Sequence, residues 1–357
     1  MFRIKRKITL IVIAAAVLLA GCGKSGSSVS EYSSSRQSAA VSSSELSDVV
    51  QPQKTATVYS NDPQNACSIT FDGFTITVSG KNCNVFAGVK EKNPPMNVER
   101  SLDGDTLTCT LTPKREKNDK YGSFYILDAN NYQHIVNIEF TEDGIKLPDI
   151  SDVVQNNDKV TSTVVELSEA QTAQYITLDG SRKKIPQILD EIKKISDEIC
   201  DGIDSDYEKL RAISYWVSEN IYYDYPAQHS GIPQECLSLE YMLNNRSSVC
   251  GGYSNMTSAL CAAQGIRCLN IKGLGLNDGS CFAQDVEGDF HEWNIAEIDG
   301  KEIILDSGWD SLNTFRTDGT FETKSMCFEN FDIGKEVFAL KHKARTAEYR
   351  NYQALIK

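Results

Sequence analysis

SVCGGYSNMTSALCAAQG, residues 248–265, is the stretch from which the chain is best read. It sets Cys250 before Gly251 and Gly252. Tyr253, Met256, Thr257, Leu260 and Cys261 then recur at helical spacing, and Gly265 stands where a helix would stop. A thiol at a helix N-terminus lies at the positive end of the helix dipole, which favours the thiolate. The two glycines keep side chains away, so a substrate backbone could reach the sulfur. Set against this is a plainer reading, in which Cys250 is a small buried residue at a helix start. The residues around it decide between the two.

Downstream, HEWNIAEI (291–298) and KEIILD (301–306) flank Asp299-Gly300, the dipeptide of a two-residue hairpin turn. That turn sets Ile298 opposite Lys301 and places Asp306 opposite Trp293, with His291 its diagonal neighbour on the same face. Diagonal neighbours lie about 7–8 Å apart at the backbone, within one hydrogen bond for a carboxylate and an imidazole. The same register puts Glu297 opposite Glu302, a repulsion that a bulge near the turn could relieve. Cysteine at a helix start, histidine on a strand and aspartate on the next supply the roles of thiol chemistry. The histidine takes the thiol proton and returns it to the leaving group, and the aspartate fixes the imidazole and supports its charge. A backbone N–H at the helix start, that of Cys250, can stabilise the oxyanion.

Three segments together carry a family resemblance: AISYWVSENIYYDY, SSVCGGYSNMTSALCAAQGIRC and HEWNIAEIDGKEIILDSGWD. From about Tyr207 to Asp310 the chain resembles a transglutaminase-like domain of the papain-related thiol enzymes. CFENFDIGKEVFALKHK is similar to how such domains close. The family's helix–Cys, strand–His and strand–Asp order falls on Cys250, His291 and Asp306, and its His-x-Trp-Asn and Asp-x-x-Trp motifs fall on 291–294 and 306–309. The resemblance implies an α+β, papain-like core that acts on peptide or side-chain amides through a Cys250 thioester. Hydrolysis and transfer to an amine both stay open. Trp309, Trp293 and Tyr223 are expected to line the substrate. The family often has a second oxyanion donor, for which Trp216, Tyr223 and Gln228 are all candidates. No calcium-loop pattern is present.

The N-terminus reads as an address. Arg3, Lys5, Arg6 and Lys7 precede the apolar run ITLIVIAAAVLLA at 8–20, whose thirteen residues suit a signal h-region and are too few to span a bilayer. Leu19-Ala20-Gly21-Cys22 looks like a bacterial lipobox, which implies cleavage after residue 21, lipidation of Cys22 and anchoring on the extracytoplasmic face of the cell membrane. Residues 22–54 are Ser-rich and read as a tether. Residues 55–149 alternate with period two in CSITF, FTITVS, TLTCTL, SFYIL and IVNIEF, between turns such as Asp72-Gly73 and Asp143-Gly144. A small, immunoglobulin-like β-sandwich is expected there, with His134 on its surface. Residues 150–357 are assigned to the transglutaminase-like domain. Within them, 151–159 reads as a polar connection. A helix with an Ile188, Ile192, Ile195 and Ile199 stripe follows, and then a helix opened by Ser205-x-x-Glu208 with Arg211, Ser214, Ser218 and Glu219 on its wet side. Residues 273–288 read as a glycine-rich loop.

A net charge of −13, which becomes −17 without the four cations of residues 1–21, argues against nucleic acid and against electrostatic adhesion to anionic lipid. The expected partners are a peptide or protein substrate at the cell envelope and, through the lipid, the membrane. Eleven cysteines are present with no C-x-x-C, and four histidines lack HExxH or finger spacing, so no metal or cofactor is called for. Once Cys22 and Cys250 are set aside, nine cysteines remain, so at least one more is unpaired or pairs between molecules. Two further readings stand beside the enzyme: a binding or scaffold protein that kept the fold and lost the chemistry, and a redox protein using cysteine pairs.

Overall fold

The computed structural model describes residues 54–356 apart from 65, 81–87, 90–95, 104–105, 114–119, 128–132, 178–180, 182 and 328. The signal segment, Cys22 and the tether up to residue 53 lie outside the described residues.

Period-two alternation folds as strands. Thr55–Ser60, Cys67–Asp72, Thr75–Gly80, Thr106–Pro113 and Met96–Asp103 form one antiparallel sheet in that order, and Gly88–Val89, Tyr121–Leu127, Gln133–Phe140 and Ile145–Lys146 form a second. Ile69, Phe71, Ile76 and Val78 of the first sheet meet Phe124, Val136 and Ile138 of the second in one apolar cluster. That cluster continues into Leu269, Ile271, Trp293, Ile295 and Ile304, far along the chain, and residues 50–357 make one compact unit. His134 is not on the surface. Its ring is buried, with Nδ1 2.9 Å from the Tyr59 hydroxyl, because its strand turns that face toward the core.

A five-stranded sheet follows, in the order Val164–Leu167, His342–Arg350, Arg267–Gly275, Asp289–Ile298, Lys301–Leu305. All neighbours are antiparallel except the first pair. The helix Cys250–Ala263 lies across the two central strands, and Ile185–Ile199 and Asp206–Asn220 pack beside it. Ser151–Thr161 is a helix rather than a connection. It docks by both polar and apolar contacts: Asn156 Nδ2 donates to Ala344 O at 2.7 Å and Asn157 Nδ2 to His342 O at 2.9 Å, while Val153 is buried and Val154 and Val160 pack against apolar clusters. Arg211, Ser214 and Ser218 are buried, not wet, because Asp206–Asn220 is covered on more than one side: Ser218 donates to Ser307 O and Arg211 meets Asp62. Gly273 and Gly275 belong to the strand Arg267–Gly275, so the loop begins later than the sequence suggests.

The hairpin has the register expected of a two-residue turn, Ile298 opposite Lys301 through to Asn294 opposite Leu305. No bulge interrupts it. Glu297 and Glu302 do face each other, but Arg267 lies 3.7 Å from Glu297 and Lys335 3.1 Å from Glu302, so counter-ions rather than a bulge offset the repulsion.

Candidate active site

Every residue from Cys250 to Ala262 is buried, which is why this helix shows little two-sided character. Its polar side chains find partners instead: Ser254 Oγ donates to Trp293 O, and Asn255 Nδ2 to Tyr175 O and Leu237 O. Asn294, the last residue of the His-x-Trp-Asn motif, donates through Nδ2 to Ser254 O at 3.1 Å and Leu269 O at 3.0 Å. That side chain ties the cysteine helix to both central strands. Val249 caps the helix without a side-chain bond, and the N–H groups of Gly252 and Tyr253 close onto Val249 O. The Cys250 N–H lies before that closure, among the first N–H groups that a helix cannot satisfy itself.

Asp306 follows the last hairpin strand and caps the short helix Ser307–Asp310, its Oδ1 accepting from Trp309 N at 3.0 Å. Its Oδ2 lies 2.5 Å from His291 Nε2. Because Nε2 is committed to the carboxylate, Nδ1 is the nitrogen left for Cys250, whose thiol hydrogen-bonds the ring. Burial alone would lower the pKa of His291. The charge and hydrogen bond of Asp306, joined by those of Cys250, more than offset it and raise the value to about 10. Burial likewise opposes an ionised Asp306, and the charge and hydrogen bonds of His291, with the hydrogen bond of His342, hold it well below the usual carboxylate range. Both shifts describe one imidazolium–carboxylate pair.

Trp309 stacks on His291 with ring centroids 4.4 Å apart and planes 22° apart. Room for this comes from the neighbouring strand, where Gly273 pairs with His291 and Gly275 with His342. A Cβ on Gly275 would stand 2.8 Å from the Trp309 ring, and one on Gly273 2.6 Å from that of Trp293. Trp293 is a correction: it is 2% exposed, packed beneath His291 and beside Phe338 in the core, and supports the site rather than lining it. Tyr223 is half-buried against Val249 and Tyr225, and burial first, then the Cys250 charge, raises its pKa. Tyr223 is within electrostatic reach of the sulfur, whereas Trp216 packs in the helix cluster and Gln228 is exposed.

One site residue went unread in the sequence. His342 opens the strand His342–Arg350, is 1% exposed, and sets Nε2 3.1 Å from Asp306 Oδ2. His291, Asp306 and His342 thereby present ligand-type atoms within 4.8 Å of one another, a grouping of the kind that can hold a metal ion. Here Oδ2 is already engaged by both rings. Cys200, Cys236, Cys250, Cys261, Cys268, Cys281 and Cys327 are buried free thiols.

Residues 193–311 match the family model of the transglutaminase-like superfamily. This segment is a transglutaminase-like domain. The match takes in Cys250, His291, Asp306 and Trp309 and leaves out His342. Among curated proteins, the chain is similar to kyphoscoliosis peptidase of Mus musculus, 26% identical over 135 residues, which are 38% of this chain and 20% of that protein. The Homo sapiens protein of the same name is 29% identical over 120 residues, 33% of this chain and 18% of that protein. The chain thus spans about a fifth of the length of these relatives. A crystal structure described as that of a TGase is 11% identical at a TM-score of 0.29, covering 69% of this chain and 51% of its own.

Proposed function

We propose that this protein is a thiol enzyme that acts on peptide or side-chain amides through a thioester on Cys250. The observation that carries the reading is the 2.5 Å contact of His291 Nε2 with Asp306 Oδ2, in a ring whose other side meets the Cys250 thiol. His291 takes the thiol proton, leaving a thiolate–imidazolium pair that Asp306 supports. The thiolate adds to the amide carbonyl, and the oxyanion takes the Cys250 N–H, with the Tyr223 hydroxyl as second donor. Collapse breaks the C–N bond, the proton on His291 passes to the leaving amine, and the acyl group stays on sulfur. Water then gives an acid, or a second amine gives a new amide, with His291 again taking and returning the proton.

The chain is anchored, in this reading, through lipid on Cys22 at the extracytoplasmic face of the membrane, and its substrate is a peptide or protein of the envelope. Support comes from the basic flank, the thirteen-residue apolar run and the Leu-Ala-Gly-Cys that ends it. Among the described residues no helix is long and apolar enough to cross a membrane.

Iodoacetamide at neutral pH tests the chemistry. Cys250 is expected to label faster than Cys200, Cys236, Cys261, Cys268, Cys281 and Cys327, which are buried, and Cys250→Ala is expected to fold and to lose all turnover of amide substrates. A fully active Cys250→Ala protein would sink the mechanism. For the anchor, Cys22→Ser should move the protein out of the membrane fraction, and retention there would overturn that part alone.

A further inference from the structure

We infer that His342 is a positioning residue for the active site, donating a hydrogen bond from Nε2 to Asp306 Oδ2 that holds the carboxylate ionised and aimed at His291. The inference rests on the thiol-enzyme reading and adds a fourth side chain to it.

His342 has an acceptor at each ring nitrogen: Asp306 Oδ2 3.1 Å from Nε2, and Phe338 O 3.2 Å from Nδ1. A neutral imidazole has one N–H to give. The carboxylate is the charged acceptor and makes the stronger bond, so the proton belongs on Nε2. Burial keeps the ring neutral: it lowers the pKa to about 4, although the hydrogen bond and charge of Asp306 pull the other way. The titratable groups acting on His342 are Asp306 and His291. Its remaining ring neighbours carry no charge and fix its plane. Phe338 stacks at 3.6 Å between centroids, Trp309 lies at 4.3 Å and Trp293 at 5.1 Å.

Asp306 therefore receives three N–H donors, from His291, His342 and Trp309, at a position 1% exposed to water. Hydrogen bonds to the charged form lower a carboxylate pKa, so losing one raises it. A more basic Asp306 would take up a proton at higher pH and stop supporting the His291 imidazolium. His291 changes its charge during turnover, whereas His342 is a constant donor, and this keeps Oδ2 anionic when the proton leaves His291.

Two amide substitutions separate the nitrogens: glutamine places its NH2 near the position of Nε2, and asparagine near that of Nδ1. Iodoacetamide labelling of Cys250 across pH is the readout, with circular dichroism to verify folding. His342→Gln is expected to keep the wild-type profile. His342→Asn is expected to move the acid limb up by about one pH unit, about tenfold slower labelling at a pH on that limb. In an Asp306→Asn background the two should label alike, since no carboxylate remains to be held. Equal profiles for Asn and Gln in the wild-type background, or a difference that persists in Asp306→Asn, would overturn the inference. Should wild-type Cys250 label no faster than an unfolded control thiol, the thiol-enzyme reading itself fails, a different result from either.

Discussion

Asp306 joins two jobs in one side chain. Oδ1 caps the short helix that carries Trp309 and Oδ2 meets His291, so the Asp-x-x-Trp spacing places the tryptophan against the imidazole by capping geometry alone. Replacing it with asparagine keeps a cap acceptor and removes the charge. Asp306→Asn is expected to lower turnover by about 10²–10⁴-fold without abolishing it. A variant as inactive as Cys250→Ala would argue for a larger part in the chemistry. The pH dependence follows from the same pair. His291 is raised to about 10, so it stays protonated through neutral pH, and the stability of its pairing is complete below about 6.5 and lost as pH rises through about 10. Turnover should hold at neutral pH and fall on the alkaline side as His291 loses the proton it owes the leaving group. A decline centred near pH 7 would contradict this. The meeting of His291 with Asp306 could be read from sequence because an Asp-Gly turn converts spacing into geometry over a few residues. His342 could not. It reaches Asp306 from a strand 36 positions on, placed by pairing with Gly275, and a lone histidine carries no mark of that closure.

At the level of elements, the cysteine helix owes its position to small residues. A Cβ on Gly252 would stand 1.8 Å from Ser248 Oγ and 2.5 Å from Ser248 Cβ, distances that non-bonded atoms do not tolerate. The first turn thus lies directly on the strand Ser247–Ser248 that leads into it, and Cys250 is held between them. Gly252→Ala is expected to be insoluble or to label at Cys250 at the rate of an exposed free thiol. Adding Ser248→Gly, which removes the atoms in conflict, should restore part of both solubility and labelling. If Gly252→Ala alone melts and labels like the wild type, the steric account is wrong. Sequence reading found this helix by its spacing and its terminal glycine, and found the strands by period two. It missed Ser151–Thr161 because that helix packs only three valines, Val153, Val154 and Val160, and adds asparagine bonds onto backbone carbonyls, which leave no periodic signature. It noted the Glu297–Glu302 repulsion but could not see that Arg267 and Lys335, neither on the hairpin's facing strand, neutralise the two glutamates. Local pattern reports which face is apolar, not which charge arrives from elsewhere.

For the whole molecule, the question is whether the N-terminal sheets are a spacer or part of the catalytic body. Tyr59, Ile69 and Phe71 share one apolar cluster with Ile271, Trp293 and Phe338, and Trp293 and Phe338 pack around the two histidines. Alternation along a strand shows that one face is buried but not against what, so sequence alone left these sheets looking separable. Polar contacts strengthen the join: Arg211 Nη1 lies 3.3 Å from Asp62 Oδ1, both side chains nearly excluded from water, and Asn61 N donates to Asp332 O. Breaking a buried ion pair costs about 3–5 kcal/mol. Asp62→Ala is expected at or below the low end of that range, because Arg211 keeps Glu208 as a second partner. Changing both residues to apolar ones of similar size should recover most of the loss. Denaturant unfolding measures all three, and a double variant less stable than Asp62→Ala would show that the pair itself holds the join. A deletion decides the larger point. Removing residues 1–49 should leave one cooperative transition at an unchanged midpoint, since 50–357 is the compact unit. Removing 54–149 would uncover the apolar face behind Trp293 and leave Arg211 buried without Asp62, so that fragment should aggregate or unfold at far lower denaturant and lose rapid labelling of Cys250. A soluble, fast-labelling fragment would instead make the sheets a spacer.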